Sequence, residues 1–143
     1  MIGTFARRWP VALLVGLVAC LEPLRDNPVP PGPTPAGAVI LGAARSAAGT
    51  AVAGAAGEID VFRDNGDGSA DFVGGVTFTT DGMGEFAARV VLAYVGEFDA
   101  SVQVVVIPPA ALGLHPDTAT GTVPFTTGVT DTLTVRLTLD PIN

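Results

Sequence analysis

The chain has 143 residues, with seven arginines, no lysine and fourteen Asp or Glu, for a formal net charge of −7. Such a surface repels phosphate backbones, and no basic or aromatic-rich stripe offsets it, which argues against nucleic-acid binding. With Cys20 as its one cysteine the chain has no internal disulfide, so any exported domain must be held by its core, which about 100 residues can supply.

The first nineteen residues have the three-part layout of a secretory signal: basic Arg7-Arg8, an apolar run over 11–19, and small residues before Cys20. The run is far shorter than the roughly 20 apolar residues that span a bilayer. Leu17-Val18-Ala19-Cys20 resembles the lipobox of bacterial lipoproteins. That resemblance implies cleavage before Cys20, diacylglycerol on its thiol, an acyl chain (palmitate) on its new amino group, and attachment to the membrane through these lipids. Several acyl chains anchor stably where one does not. Leu21 stands where an aspartate retains lipoproteins at the inner membrane of Gram-negative enterobacteria, so the resemblance implies the outer membrane in such a cell. Loss of residues 1–19 removes two arginines and no acid, leaving five against fourteen, a charge of −9.

Residues 20–37 follow as a lipidated cysteine and linker. Six prolines between Glu22 and Gly37 rule out regular hydrogen bonding and hold the chain extended, as a spacer off the lipid surface. The folded domain is expected over 38–143.

Helix signals are poor in that domain. The alanine-rich stretch 43–56 is broken by Gly49 and Gly54 and reads as a strand, a turn and a second short strand. Ile59 and Val61 alternate with Glu58, Asp60 and Phe62. Phe86, Ala88, Val90 and Leu92 alternate with Glu85, Ala87, Arg89 and Val91, and Phe98, Ala100, Val102, Val104 and Val106 with Asp99, Ser101 and Gln103. Leu133, Val135, Leu137 and Leu139 face away from Thr132, Thr134, Arg136 and Thr138. Turn formers separate these runs, at 64–68, 81–84, 96–97, 108–109 and 127–128. The pattern predicts an all-β fold, a seven-stranded antiparallel β-sandwich of transthyretin-like or immunoglobulin-like topology.

Val39-Ile40-Leu41-Gly42, Glu58-Ile59-Asp60-Val61-Phe62-Arg63 and Thr80-Asp81-Gly82-Met83-Gly84-Glu85-Phe86 resemble stretches of carboxypeptidase regulatory-like domains, which are transthyretin-like sandwiches. The chain departs from them at Val52-Ala53-Gly54-Ala55, which lacks the usual proline, and over 108–130, longer than typical. The resemblance implies a structural or binding accessory module and brings no catalytic residue.

Three sites suggest chemistry. Asp64, Asp67 and Asp71, on a glycine-rich curve, could together ligate calcium, a cation that takes six to eight oxygens, although the spacing is not that of an EF-hand; the alternative is a solvated hairpin. His115, the one histidine, sits in the long 108–130 segment, and Ser46, Ser69 and Ser101 stand in no nucleophile motif, so no catalytic residue and no cofactor beyond calcium is assigned. Tyr94 is a candidate surface contact, against the plainer reading of an aromatic packed at a strand end. The function expected is that of a non-catalytic cell-envelope lipoprotein that binds, spaces or supports, partnered by the membrane and by an envelope protein or polysaccharide. A calcium-stabilised adhesion or carbohydrate-binding module is the alternative, and a hydrolase the remote one.

Overall fold

In the computed structural model, which describes residues 35–92 and 96–142, the alternating runs form strands at the expected places. The strands are β1 (Ala36–Ser46), β2 (Ala56–Asp64), β3 (Ala70–Thr79), β4 (Glu85–Leu92), β5 (Phe98–Ile107), β6 (Asp117–Phe125) and β7 (Thr130–Leu139). They make two sheets, one of three strands in the order β4-β1-β7 and one of four in the order β3-β2-β5-β6. The expected seven-stranded sandwich is what folds. Among the described residues no helix is long and apolar enough to cross a membrane.

Three features depart from the reading of the sequence. First, β1 and β7 pair in parallel, whereas the other four pairings are antiparallel. Period-two alternation is the same in both directions, and a parallel neighbour needs a long connection, here everything between the first strand and the last. Second, β1 begins at Ala36, inside the stretch assigned to the linker: Ala36 lies opposite Leu92, and Gly37 between Val91 and Thr130. A small buried pair straight after a proline run gives no periodic signal. Third, the 108–130 segment, read as a loop, contains the whole of β6. In the alanine-rich stretch, β1 runs on to Ser46, and the expected second short strand reduces to one bridge, Arg45 to Ala51.

The core lies between the sheets and follows the predicted alternation. Every second residue of β4 is buried (Phe86, Ala88, Val90, Leu92), as are Ile59 and Val61 of β2, Val102, Val104 and Val106 of β5, and Val135, Leu137 and Leu139 of β7. Burying a Val, Leu or Ile side chain contributes about 1.5–3 kcal/mol, so these rows dominate the stability. Alanine is common in this core, and aromatic rings fill the space it leaves. Phe78 and Phe86 stack with centroids 3.9 Å apart, one from each sheet. They rest on Gly57 and Gly42, where any Cβ would run into the rings.

The Thr80–Phe86 stretch joins the two sheets. Thr80 is buried; its hydroxyl donates to the Val52 carbonyl at 2.7 Å and accepts from the Ala55 N–H at 2.9 Å. The Asp81 carboxylate accepts from the backbone N–H groups of Met83 and Glu85, at 2.8 and 2.9 Å, which closes the turn. Thr80, Asp81, Gly84 and Phe86 thus each have a structural task in this motif.

Candidate functional site

Cys20 and Tyr94 lie outside the described residues. The other sequence-derived candidates are placed as follows. Asp64 ends β2 and Asp71 is the second residue of β3, with a five-residue loop between β2 and β3. Asp64 accepts from the Gly66 N–H at 2.7 Å, and Asp67 accepts from both the N–H and the hydroxyl of Ser69. Asp71 is drawn aside to Arg63, 3.1 Å away. Each carboxylate serves a local contact, and among the described residues no three His, Cys, Asp or Glu side chains are gathered so as to hold a metal ion.

The Ser69 hydroxyl, and after it the Ser69 N–H, hold the Asp67 carboxyl below its ordinary value of 3.8. A depressed folded value means that ionised Asp67 favours the folded hairpin above the ordinary value, and that this contribution is lost as pH falls through the depressed one. In an NMR titration, the Asp67 side-chain carboxyl is expected to have its midpoint below 3.8, and Ser69→Ala is expected to move it up toward the ordinary value, since the hydroxyl is lost while the residue-69 N–H still donates. A wild-type midpoint at the ordinary value would remove the role given to Ser69.

His115 is exposed between a short 3₁₀ turn (Ala110–Leu112) and β6, with its backbone N–H bonded to the Asp140 carbonyl at 2.8 Å. Of the three serines, Ser46 accepts from the Thr50 N–H, Ser69 belongs to the hairpin, and Ser101 lies on the outer face of the four-stranded sheet.

That outer face carries the arrangement best suited to a ligand. Register places Phe72, Phe62, Ser101 and Thr122 in one row across β3, β2, β5 and β6. Gly75, Asp60, Gln103 and Thr120 make the next row, and Thr77, Glu58, Val105 and Thr118 the third. Phe62 and Phe72 meet edge to face, 5.8 Å between centroids, and Phe72 is 61% exposed. A concavity of about 540 Å3 lies on one side of the pair, lined by Phe62, Ser101, Gln103, Thr120 and Thr122 among others. Another of about 460 Å3 lies on the other, with Phe72, Asp60, Glu58 and Thr77. Gly75 shapes the second: a side chain there would press on the Ile59 carbonyl and the Asp60 carboxylate. The outward positions on these strands include Glu58, Asp60, Asp64 and Asp99 and no arginine. Such a surface offers flat apolar rings beside hydroxyl, amide and carboxylate partners, and it disfavours anions.

The sequence reading placed Phe62 outward but did not find Phe72. A β-bulge at the Val61/Phe62 step of the β2–β3 pairing changes the register, so that Val61 faces Gly74 while Phe62 faces Phe72. The Phe72-Val73 pair, shortly beyond the loop, was the available signal for a strand, and the hairpin then brings the rings together.

No family model matches the sequence, and no curated protein matches it. Among solved structures the fold is similar to chlorocatechol 1,2-dioxygenase from Pseudomonas putida, at 16% identity and a TM-score of 0.46 over 75% of this chain. It is similar also to 3-chlorocatechol 1,2-dioxygenase from Rhodococcus opacus 1CP, at 10% identity and 0.46 over 76%. The chain spans 61% of the length of each dioxygenase chain. No functional property passes from them to this chain at that distance.

Proposed function

We propose that this protein is an exported, non-catalytic lipoprotein, anchored through lipid on Cys20, whose transthyretin-like sandwich binds an uncharged glycan of the cell envelope. The observation that carries the reading is the Phe62–Phe72 pair with its exposed Phe72 ring, set between two concavities, in one row with Ser101 and Thr122 and beside the row of Gln103 and Thr120. Phenyl rings take the apolar face of a sugar ring, and the hydroxyl and amide groups take its hydroxyls. The carboxylates on the same face weigh against phosphorylated or sulfated ligands. The side chains assembled there suit holding a ligand, and His115 is not among those lining the larger concavity.

The test is affinity electrophoresis through gels that contain a soluble neutral glucan, mannan or galactan. The protein is expected to be retarded by at least one of them. Phe72→Ala is expected to bind about tenfold more weakly, the worth of about 1.4 kcal/mol of ring contact. Its unfolding midpoint should stay close to that of the parent, because Phe72 is a surface residue. Passage of the wild type through all three gels unretarded, or equal retardation of the variant, would overturn the assignment.

A further inference from the structure

The opposite face of the sandwich has the opposite charge. Four arginines lie in the described domain, at 45, 63, 89 and 136, and three of them occupy outward positions of the three-stranded sheet. Arg45 is on β1, Arg89 on β4 and Arg136 on β7, and Glu85 is the one acid at the outward positions of those strands. The ion pair found among the described residues is Arg63 with Asp71, on the other sheet, so these three guanidinium groups are not drawn into carboxylate pairs there. Between them lie Val39, half-buried, with Leu41 and Val91, which are 38% and 51% exposed. Outward Thr130, Thr132, Thr134 and Thr138 line the β7 edge. Arg45 and Arg136 flank a concavity of about 410 Å3 with Ala43, Glu85 and Thr138.

We propose that this arginine-bearing face of the β4-β1-β7 sheet docks on the anionic phospholipid surface to which the chain is tethered. The inference rests on the lipid attachment proposed above. Two observations select a membrane as the occupant. The charge is one: in a strongly acidic chain, three of the four domain arginines are collected on one face, among apolar side chains that suit the headgroup boundary. The tether is the other. It enters this same sheet, since Ala36 opens β1, its middle strand. Residues 21–35 span at most roughly 50 Å when extended, more than the roughly 36 Å length of an eleven-residue strand. The sheet can therefore lie flat beside the inserted lipid.

Net repulsion does not prevent this orientation. The screening length is about 8 Å at physiological salt, and the second sheet packs about 10 Å further out. The acids of the four-stranded sheet are thus largely screened from a membrane that the arginines touch. Docking this way presents the Phe62–Phe72 face outward, toward envelope polymers.

The test uses the mature lipidated chain in phosphatidylcholine vesicles with or without phosphatidylglycerol, doped with a lipid whose headgroup bears a nitroxide. A fluorophore is attached to Thr134→Cys on the proposed docking face or to Thr120→Cys on the opposite one. Quenching is expected to be several-fold stronger at 134 than at 120 in the anionic vesicles only. The docking equilibrium derived from that difference should weaken by about fivefold for each arginine changed to glutamine, and the difference should vanish at high salt. Equal quenching at both positions, or a difference untouched by the Arg45→Gln, Arg89→Gln, Arg136→Gln triple variant, would overturn the proposal. So would a concentration-dependent increase in particle size that accounts for the quenching, since the basic face would then be meeting the acidic face of a second copy. Mass spectrometry of Cys20 separates the two readings. If the thiol carries no lipid, the tether reading fails, and sedimentation of the same chain with anionic vesicles then decides the face: arginine-dependent pelleting retains it and no pelleting removes it.

Discussion

Gly84→Ala is expected to destabilise the domain by about 3 kcal/mol or more in urea denaturation. The residue has φ +72, where a side chain costs an L-residue about 1–2 kcal/mol. The new Cβ would lie 2.6 Å from the Ala44 carbonyl oxygen and 2.9 Å from the Val52 nitrogen. Both are backbone atoms within a bonded junction: Ala44 N–H donates to the Gly84 carbonyl at 2.8 Å, and Val52 N–H to the Ala44 carbonyl at 3.0 Å. Neither can swing away, so an overpacking cost of about 1–3 kcal/mol is added. Gly82, two residues earlier in the same turn, is the internal control. A Cβ there meets nothing within 4 Å, and Gly82→Ala is expected to stay within about 0.5 kcal/mol of the parent. Equal effects at the two positions would mean that the turn, and not its seat against β1, limits stability.

The same junction explains why the threonine-aspartate-glycine-phenylalanine stretch was readable in the sequence. Its chemistry is local: Asp81 binds N–H groups two and four residues on, and Gly84 supplies a φ that few other residues adopt. Strands β4, β5 and β7 were legible for a comparable reason, since each buries one face and exposes the other without interruption. β3 was not. Gly74 and Gly75 erase two side chains of its alternation, and the bulge shifts its phase beside them. The candidate site is correspondingly half legible. Outward Phe62, Ser101 and Gln103 follow from period two, but their assembly with Phe72, Thr120 and Thr122 depends on pairing of β2 with β3 and of β5 with β6, which no single segment encodes. The basic face was hidden likewise: Arg45, Arg89 and Arg136 are far apart in sequence and come onto one face only when β1 takes β4 on one side and β7 on the other.

β6 is the element the sequence concealed most fully, and Phe125→Ala tests its place in the fold. Threonine at 118, 120 and 122 faces solvent, and the inward positions begin with Asp117, Ala119 and Gly121, so the apolar face is weak until Val123. Pro124 then reads as a loop residue. It is tolerated because β6 is the edge of the four-stranded sheet, where a missing N–H need not break a ladder bond. The strand is fixed by its last residue: Phe125 is fully buried and lies opposite Phe98, the two rings nearly parallel with centroids 5.5 Å apart. Truncation to alanine is expected to cost about 3–5 kcal/mol, the transfer term of a buried phenyl plus the cavity it leaves. The denaturant midpoint should fall with an unchanged m-value. Phe98, half-buried, should lose less when truncated. A loss below about 1 kcal/mol for Phe125→Ala would put the end of β6 outside the core, in the range of ordinary surface substitutions. It would also leave Thr120 and Thr122 without a fixed position, and the rows that hold Phe62, Phe72 and Gln103 would have no rigid fourth strand on which to hold a ligand.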